Sequence, residues 1–208
     1  MLSSSYAFMA FFFLLFVFVW YKHRKLCAAQ NFSPESCLGI TFFFVFLLTC
    51  GMFAMNTALM SSRCKAVDFG VVAKATLPWP LLFGSTAAAL EFLPSWKTPF
   101  ANTFGYMIYN FAGKGNDLIK TLLKNDGHDS YKYVVEDPGL FANTIDLSNF
   151  KEQSEKSFHV QPVPLKALFD LIVLKHVTAD FVWYMLVGSV VMTMSYNTIL
   201  TAACSLKA

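Results

Sequence analysis

Cysteine and histidine are the residues here that could bind a metal, cycle between thiol and disulfide, or pass a proton. The five cysteines fall at Cys27, Cys37, Cys50, Cys64 and Cys204. A structural zinc site asks for closely spaced ligand pairs, since each pair supplies two corners of a tetrahedron, and none is present. Cys27 and Cys37 stand ten apart in one short segment, where they could pair; the odd count and the scatter favour thiols instead. Cys27 also lies beside basic residues and an apolar run, a setting for S-palmitoylation. Cys50 and Cys204 sit in or at the end of long apolar stretches, where cysteine packs as a small hydrophobe. His23, His128, His159 and His176 have no partner at ligand spacing, and His176 reads as a core or interfacial histidine. Gly113-Lys114-Gly115-Asn116 lacks the earlier glycine and the following Ser or Thr of a phosphate-binding loop, so its glycines read as a flexible break. Neither a serine-nucleophile elbow nor the paired histidines of a zinc protease occurs. The chain is therefore expected to be non-enzymatic, with no cofactor, no metal and no small-molecule substrate.

The elements that would have to hold any site are built for oil rather than water. Of 208 residues, 56% are hydrophobic, 17% aromatic and only 14% charged, against about 25% charged in a soluble domain. That composition excludes a disordered chain, a coiled coil and an ordinary cytosolic enzyme. A net charge of +3 is too small to argue for nucleic-acid binding. Residues 1–112 carry seven basic and three acidic groups, whereas residues 113–208 carry nine and ten. A basic, apolar front thus precedes a polar middle and an apolar tail.

A membrane helix needs about 20 apolar residues to cross ~30 Å of hydrocarbon. Leu38–Met60 is 23 residues without a charge, and Arg63 and Lys65 follow as an interfacial stop. Phe181–Cys204 is 24 residues without a charge, with Trp183 and Tyr184 where an aromatic belt would sit. Tyr6–Tyr21 reaches spanning length once the uncharged residues ahead of it are counted, and ends in Lys22-His23-Arg24-Lys25. A signal peptide would place its charges before the apolar core, so an uncleaved first span is expected. The flank Lys22, Arg24 and Lys25 would then lie on the cytoplasmic side. No span contains an ionisable residue, which argues against a pump, carrier or channel. Leu77–Leu93, broken by Pro78, Pro80 and Glu91, reads as a short helix on or dipping into the interface, or a helix of the polar domain. The expected layout is a mainly α integral membrane protein with about three transmembrane helices and a small, mostly helical polar domain with at most a short strand. The spans are 1–21, 38–60 and 181–204, with a basic loop at 22–37, the polar domain at 61–180 and a tail at 205–208; a fourth span is left open. Three crossings put the polar domain opposite the Lys22 loop, although Arg63 and Lys65 weaken that asymmetry.

Within the polar middle, Pro94 to Pro99 form a turn-rich elbow around Trp96. Asn102 or Thr103 can cap a helix on which Phe104, Met107, Ile108 and Phe111 share a face, to lie against the bilayer or a partner helix. Gly113 and Gly115 break it, and Asn116 can cap a second piece carrying Leu118, Ile119, Leu122 and Leu123. Asn125-Asp126-Gly127 reads as a turn, Tyr131–Val135 as a short strand, and Glu136–Gln161 as loop, with Pro138-Gly139 turning. Leu165, Leu168, Phe169, Ile172 and His176 mark a further helix face. That helix ends at a cap on Thr178 or Asp180, or runs straight into the last span. Gly51 and Gly188 could allow close helix packing.

The phenylalanine-rich composition, the spans near both ends and the elbow Pro94-Ser95-Trp96-Lys97-Thr98-Pro99-Phe100-Ala101-Asn102-Thr103-Phe104-Gly105-Tyr106 resemble the membrane-spanning minor capsid proteins of large icosahedral DNA viruses, the chlorella-virus type. The resemblance implies an architectural role, with the spans in an internal membrane and the polar domain against the capsid shell. Partners would then be the lipid bilayer and other subunits of a large assembly, capsid proteins among them. The elbow aromatics Trp96, Phe100, Phe104 and Tyr106 are the expected partner contacts. The alternative is an accessory subunit of a mitochondrial inner-membrane respiratory or ATP-synthase complex, although the N-terminus lacks an arginine-rich presequence. A lipid-modifying enzyme would need a His/Asp constellation near the interface, which the sequence does not offer.

Overall fold

The computed structural model of the chain describes residues 4–29, 36–64, 66–123, 136–158 and 162–204. The expected strand at 131–135, the turn at 125–127 and Lys65 lie outside the described residues. Those described are mainly helical: α1 (Ser4–Cys27), α2 (Leu38–Cys64), α3 (Phe69–Thr76), α4 (Gly84–Phe92), α5 (Tyr106–Gly113), α6 (Gly115–Leu122), α7 (Pro138–Thr144), α8 (Phe150–Ser157) and α9 (Pro162–Thr201). A lone antiparallel bridge joins Leu123 to Phe158. Three of these helices, α1, α2 and α9, are long and apolar enough to cross a membrane.

Their ends differ from the expected ones. α1 continues through Lys22-His23-Arg24-Lys25, because Lys and Arg are good helix formers and nothing there breaks the ladder. The 40 residues of α9 join the Leu165–His176 face to the final apolar run without a cap. Thr178 Oγ1 donates back to the Leu174 carbonyl at 2.8 Å, and Asp180 is engaged in ion pairs.

The chain forms two compact units, to which α1 and α9 both contribute. The membrane unit comprises Met1–Phe18, Cys37–Pro94 and Phe181–Ala208. Its fourth helical run is built from α3 and α4. Asp68 Oδ1 caps α3 by accepting from the Gly70 and Val71 amides at 2.9 and 3.3 Å. Leu77 and Pro78 then keep right-handed helical angles. So the prolines do not stop the helix, as the sequence suggested; they remove two N–H donors, and the chain widens into a π turn at Trp79–Phe83 before α4. The run packs antiparallel along α2. Val72 and Ala75 meet Met60, Thr76 meets Asn56, Gly84 meets Val45, and Glu91 accepts from Thr41 Oγ1 at 3.1 Å.

Lipid tails are as apolar as leucine, so shape and polar bonds, not exclusion of water, must hold such helices together. Phe18 stacks on Phe44 at 4.1 Å, and Phe11, Trp79, Phe83 and Tyr184 complete an aromatic interior. Gly188 makes this possible, since a Cβ there would strike the Phe11 ring, whereas Gly51 faces open space. Asn56 Nδ2 donates to Thr76 Oγ1 at 3.0 Å and to Ser195 Oγ at 2.9 Å, and Ser195 Oγ donates to Asn56 Oδ1 at 3.2 Å. At one end Cys64 and Cys204 form a disulfide, their Cα atoms 5.2 Å apart. This corrects the expectation of thiols throughout: the two cysteines are separated by 140 residues, so no spacing signal existed. Cys27, Cys37 and Cys50 are thiols.

The polar unit comprises Val19–Ser36 and Ser95–Asp180. Leu165, Leu168, Phe169, Ile172, Val173 and Val177 of α9 are buried in it, as are Tyr109, Ile119, Leu122, Ala142, Ile145, Phe150 and Phe158. The stretch expected to be loop at 136–161 holds two helices instead. Pro138 is not in a turn but at the first position of α7, where a missing N–H costs nothing, and Asp137 caps it by accepting from the Leu140 amide at 3.0 Å. An Asp146 turn leads into α8, where Phe150 packs on Phe169 at 5.1 Å. Few apolar residues make these helices, and burying Ala142 and Phe150 is enough to seat them although Leu140 faces out, so density of pattern was a poor guide.

Candidate functional site

Four ionisable side chains meet inside the polar unit. Asp180, 0% exposed, has Lys22 Nζ at 2.8 Å from one oxygen and Lys97 Nζ at 2.9 Å from the other. Lys97 Nζ also lies 3.2 Å from His176 Nε2. Lys22 arrives on α1, Lys97 on the tight turn Pro94–Lys97, and His176 and Asp180 one helical turn apart on α9. Buried charges persist only when paired. This cluster therefore fixes three segments that are remote in sequence, a registering role rather than a large source of stability.

The cluster also aims the neighbouring surface. With Lys97 3% exposed and drawn inward, adjacent Trp96 faces out. Beyond it, short helical turns at Thr98–Phe100 and Ala101–Gly105 feed α5. One side of this stretch is buried through Ala101, Gly105 and Tyr109. Gly105 is pressed to the Lys175 backbone, leaving no room for a Cβ. The other side exposes Phe104, Met107, Ile108 and Phe111, the last at 85%. A helix apolar on both sides belongs in a larger assembly or in oil. The stretch ends at Lys114, which takes the left-handed conformation (φ 49°) that L residues avoid. Gly115 follows because the Tyr109 ring occupies the space of a Cβ there. Burial pushes the Tyr109 phenol upward, so it stays neutral beneath this surface.

Of the expected partner contacts, Trp96 and Phe104 face outward, and Phe100 is half-buried with its ring 6.1 Å from that of Phe104. Tyr106 belongs to an internal seam instead. It accepts from Asn116 Nδ2 at 3.0 Å and stacks on Tyr109 at 5.9 Å. The basic flank is dispersed. Lys22 is buried at 1%; Arg24 lies over the Trp20 ring, 5.7 Å from its centroid; Lys25 donates to the Ser36 carbonyl at 3.3 Å. Arg63 donates to the Ile199 and Ala202 carbonyls, the latter at 2.8 Å, closing the C-terminal end of α9.

Sequence reasoning found the apolar stripe but missed the ion cluster. Its one signal was Asp180, the acidic residue directly ahead of the uncharged Phe181–Cys204 run, a charge that needs a partner once buried. In the membrane unit, a cavity of about 250 Å³ is lined by Phe8, Met52, Met55, Leu59, Met192 and Tyr196, with Asn56 and Ser195 bonded to each other beside it. It offers room to an apolar chain. Among the described residues no cluster of His, Cys, Asp or Glu is placed to hold a metal. Comparison with protein-family models, curated proteins and solved structures gives no match.

Proposed function

We propose that this protein is a structural membrane component that bridges a bilayer to a larger assembly. In this reading the membrane unit anchors the chain, and the polar unit presents Trp96, Phe104, Met107, Ile108 and Phe111 to a partner subunit. The observation that carries it is that exposed stripe, backed by a buried face on the same helical stretch. A helix lying on lipid headgroups would carry Lys and Arg along its polar side. Thr103–Gly113 carries none, which favours a protein partner. The setting that fits the phenylalanine-rich composition and the Trp96 elbow is the internal membrane of a large icosahedral DNA virus, with a capsid protein as the partner. The role is architectural, with no turnover assigned to it.

Phe104→Asp combined with Phe111→Asp tests this. Centrally buried aromatic contacts are worth about 2 kcal/mol or more each, so recovery in detergent-washed particles should fall at least ~10-fold while the chain still enters membranes. Normal incorporation of the double variant would remove the docking role. Recovery of the wild-type chain with a respiratory complex on a native gel, and not with particles, would move the same role to a mitochondrial membrane.

A further inference from the structure

We infer that the α3–α4 run is a fourth membrane crossing, which puts the polar unit on the same side of the bilayer as the Lys22 loop and the Cys64–Cys204 disulfide in an oxidising compartment on the other. The membrane unit supplies the first argument. Phe69–Phe92 is 24 residues, about 36 Å as helix at ~1.5 Å per residue, against ~30 Å of hydrocarbon. It returns along α2 from the Met60–Val72 contact to the Thr41–Glu91 bond, so if α2 crosses, this run crosses back. Its only charges, Lys74 and Glu91, stand near its two ends, and Leu77, Leu81 and Leu82 cover its outer side. Irregular backbone at membrane depth must lie against protein. Trp79 and Phe83 of the π turn are fully buried, and Ser85 and Thr86 donate to the Leu81 and Leu82 carbonyls.

The polar unit supplies the second argument by itself. Lys22 pairs with Asp180 at 2.8 Å and Lys166 Nζ donates to the Cys27 carbonyl, so residues 19–29 and the described part of 95–180 share one side. Three crossings would separate them by a bilayer. The disulfide supplies the third. Cys64 closes α2 and Cys204 follows α9, and they can meet only if the chain crosses an even number of times between them. The return run and α9 are those two crossings. Disulfides persist in oxidising compartments, which assigns that compartment to the Cys64–Cys204 end. Lys22, Arg24 and Lys25 then take the cytosolic side, as cationic flanks do. Resting on the docking role above, the Phe104–Phe111 stripe would meet a partner that assembles in the cytosolic compartment, as a shell built on the outer face of a host membrane does.

The full chain in sealed vesicles with the cytosolic face outward decides the matter. Arg24→Cys and Lys151→Cys, with Lys156→Cys as a second site in the polar unit, should each add one step of mass with a membrane-impermeant PEG-maleimide before any detergent. The native disulfide should resist a membrane-impermeant phosphine until detergent is added. Labelling of Arg24→Cys with both polar-unit variants shielded, or the reverse, overturns the fourth crossing. Reduction of the disulfide in intact vesicles overturns the compartment assignment. Neither readout involves a partner. A Phe104→Asp/Phe111→Asp chain that assembles normally would remove the docking role and leave this labelling pattern as stated.

Discussion

The membrane unit and the polar unit both have to fix helices against one another, and they do so with opposite chemistry. Among the described residues the fully buried polar groups between the membrane-unit helices are neutral: Asn56, Thr76 and Ser195 trade hydrogen bonds, and rings interlock around Gly188, while the half-buried Glu91 stands at one end. Inside the polar unit, full charges meet at Asp180. The difference follows from what each region has to fall back on. A charge stranded in hydrocarbon costs about 2.5–3.5 kcal/mol even by the mildest scale, so a bilayer interior tolerates amides and hydroxyls. A water-bathed unit can bury charges provided each has its counter-charge. It then becomes far less forgiving of losing one.

The contrast is broken most severely at Asp180. Asp180→Asn leaves Lys22 and Lys97 buried without their anion, a loss of about 3–5 kcal/mol. Limited proteolysis in detergent should cut residues 95–180 rapidly in this variant while the helices of the membrane unit stay protected. Lys22→Met should cost less, because Lys97 still balances the carboxylate. Equal damage from both changes would show that the cluster does not work as a charge balance. Next comes Gly188→Ala, which drives a methyl into the Phe11 ring and should cost about 1–3 kcal/mol. It should lower the melting temperature of the purified chain, and Phe11→Leu should partly restore it. Asn56→Ala should cost less again, about 1 kcal/mol, since Thr76 Oγ1 keeps its bond to the Val72 carbonyl at 2.9 Å and only Ser195 loses its partner outright.

The sequence carried the membrane unit's composition almost completely, because about 20 uncharged residues have few fates other than a bilayer. It carried less of the proline-broken run. Pro78 and Pro80 look like terminators when read alone, and only packing against α2 explains why the chain stays helical through them. The disulfide and the Asp180 cluster were illegible for a shared reason. Their members are remote in sequence and each has an ordinary local explanation: Cys204 as a small apolar residue, Lys97 as a turn residue, Lys22 as a headgroup-facing flank. The Phe104–Phe111 stripe was legible because helical spacing is local. Its exposure was not, since Gly105 and Tyr109 on the opposite side are just as apolar.

Gly51 marks the small end of the scale, and its value lies in the pairing with Gly188. Both glycines sit in uncharged helical runs, and both suggest close helix packing by sequence alone. The structure separates them: the space beside Gly51 is open, and that beside Gly188 is filled by Phe11. In water, Gly→Ala at an exposed helix position gains up to about 1 kcal/mol, because alanine has less backbone freedom to lose. In a bilayer a separated α2 stays helical, since unsatisfied backbone groups are not tolerated in hydrocarbon, and most of that gain vanishes. Gly51→Ala is therefore expected to move stability by less than about 0.5 kcal/mol, on the stabilising side if at all. A melting temperature that falls as far as it does in Gly188→Ala would mean that α2 meets another helix at Gly51. The partner surface would then extend from the Phe104–Phe111 stripe into the bilayer itself.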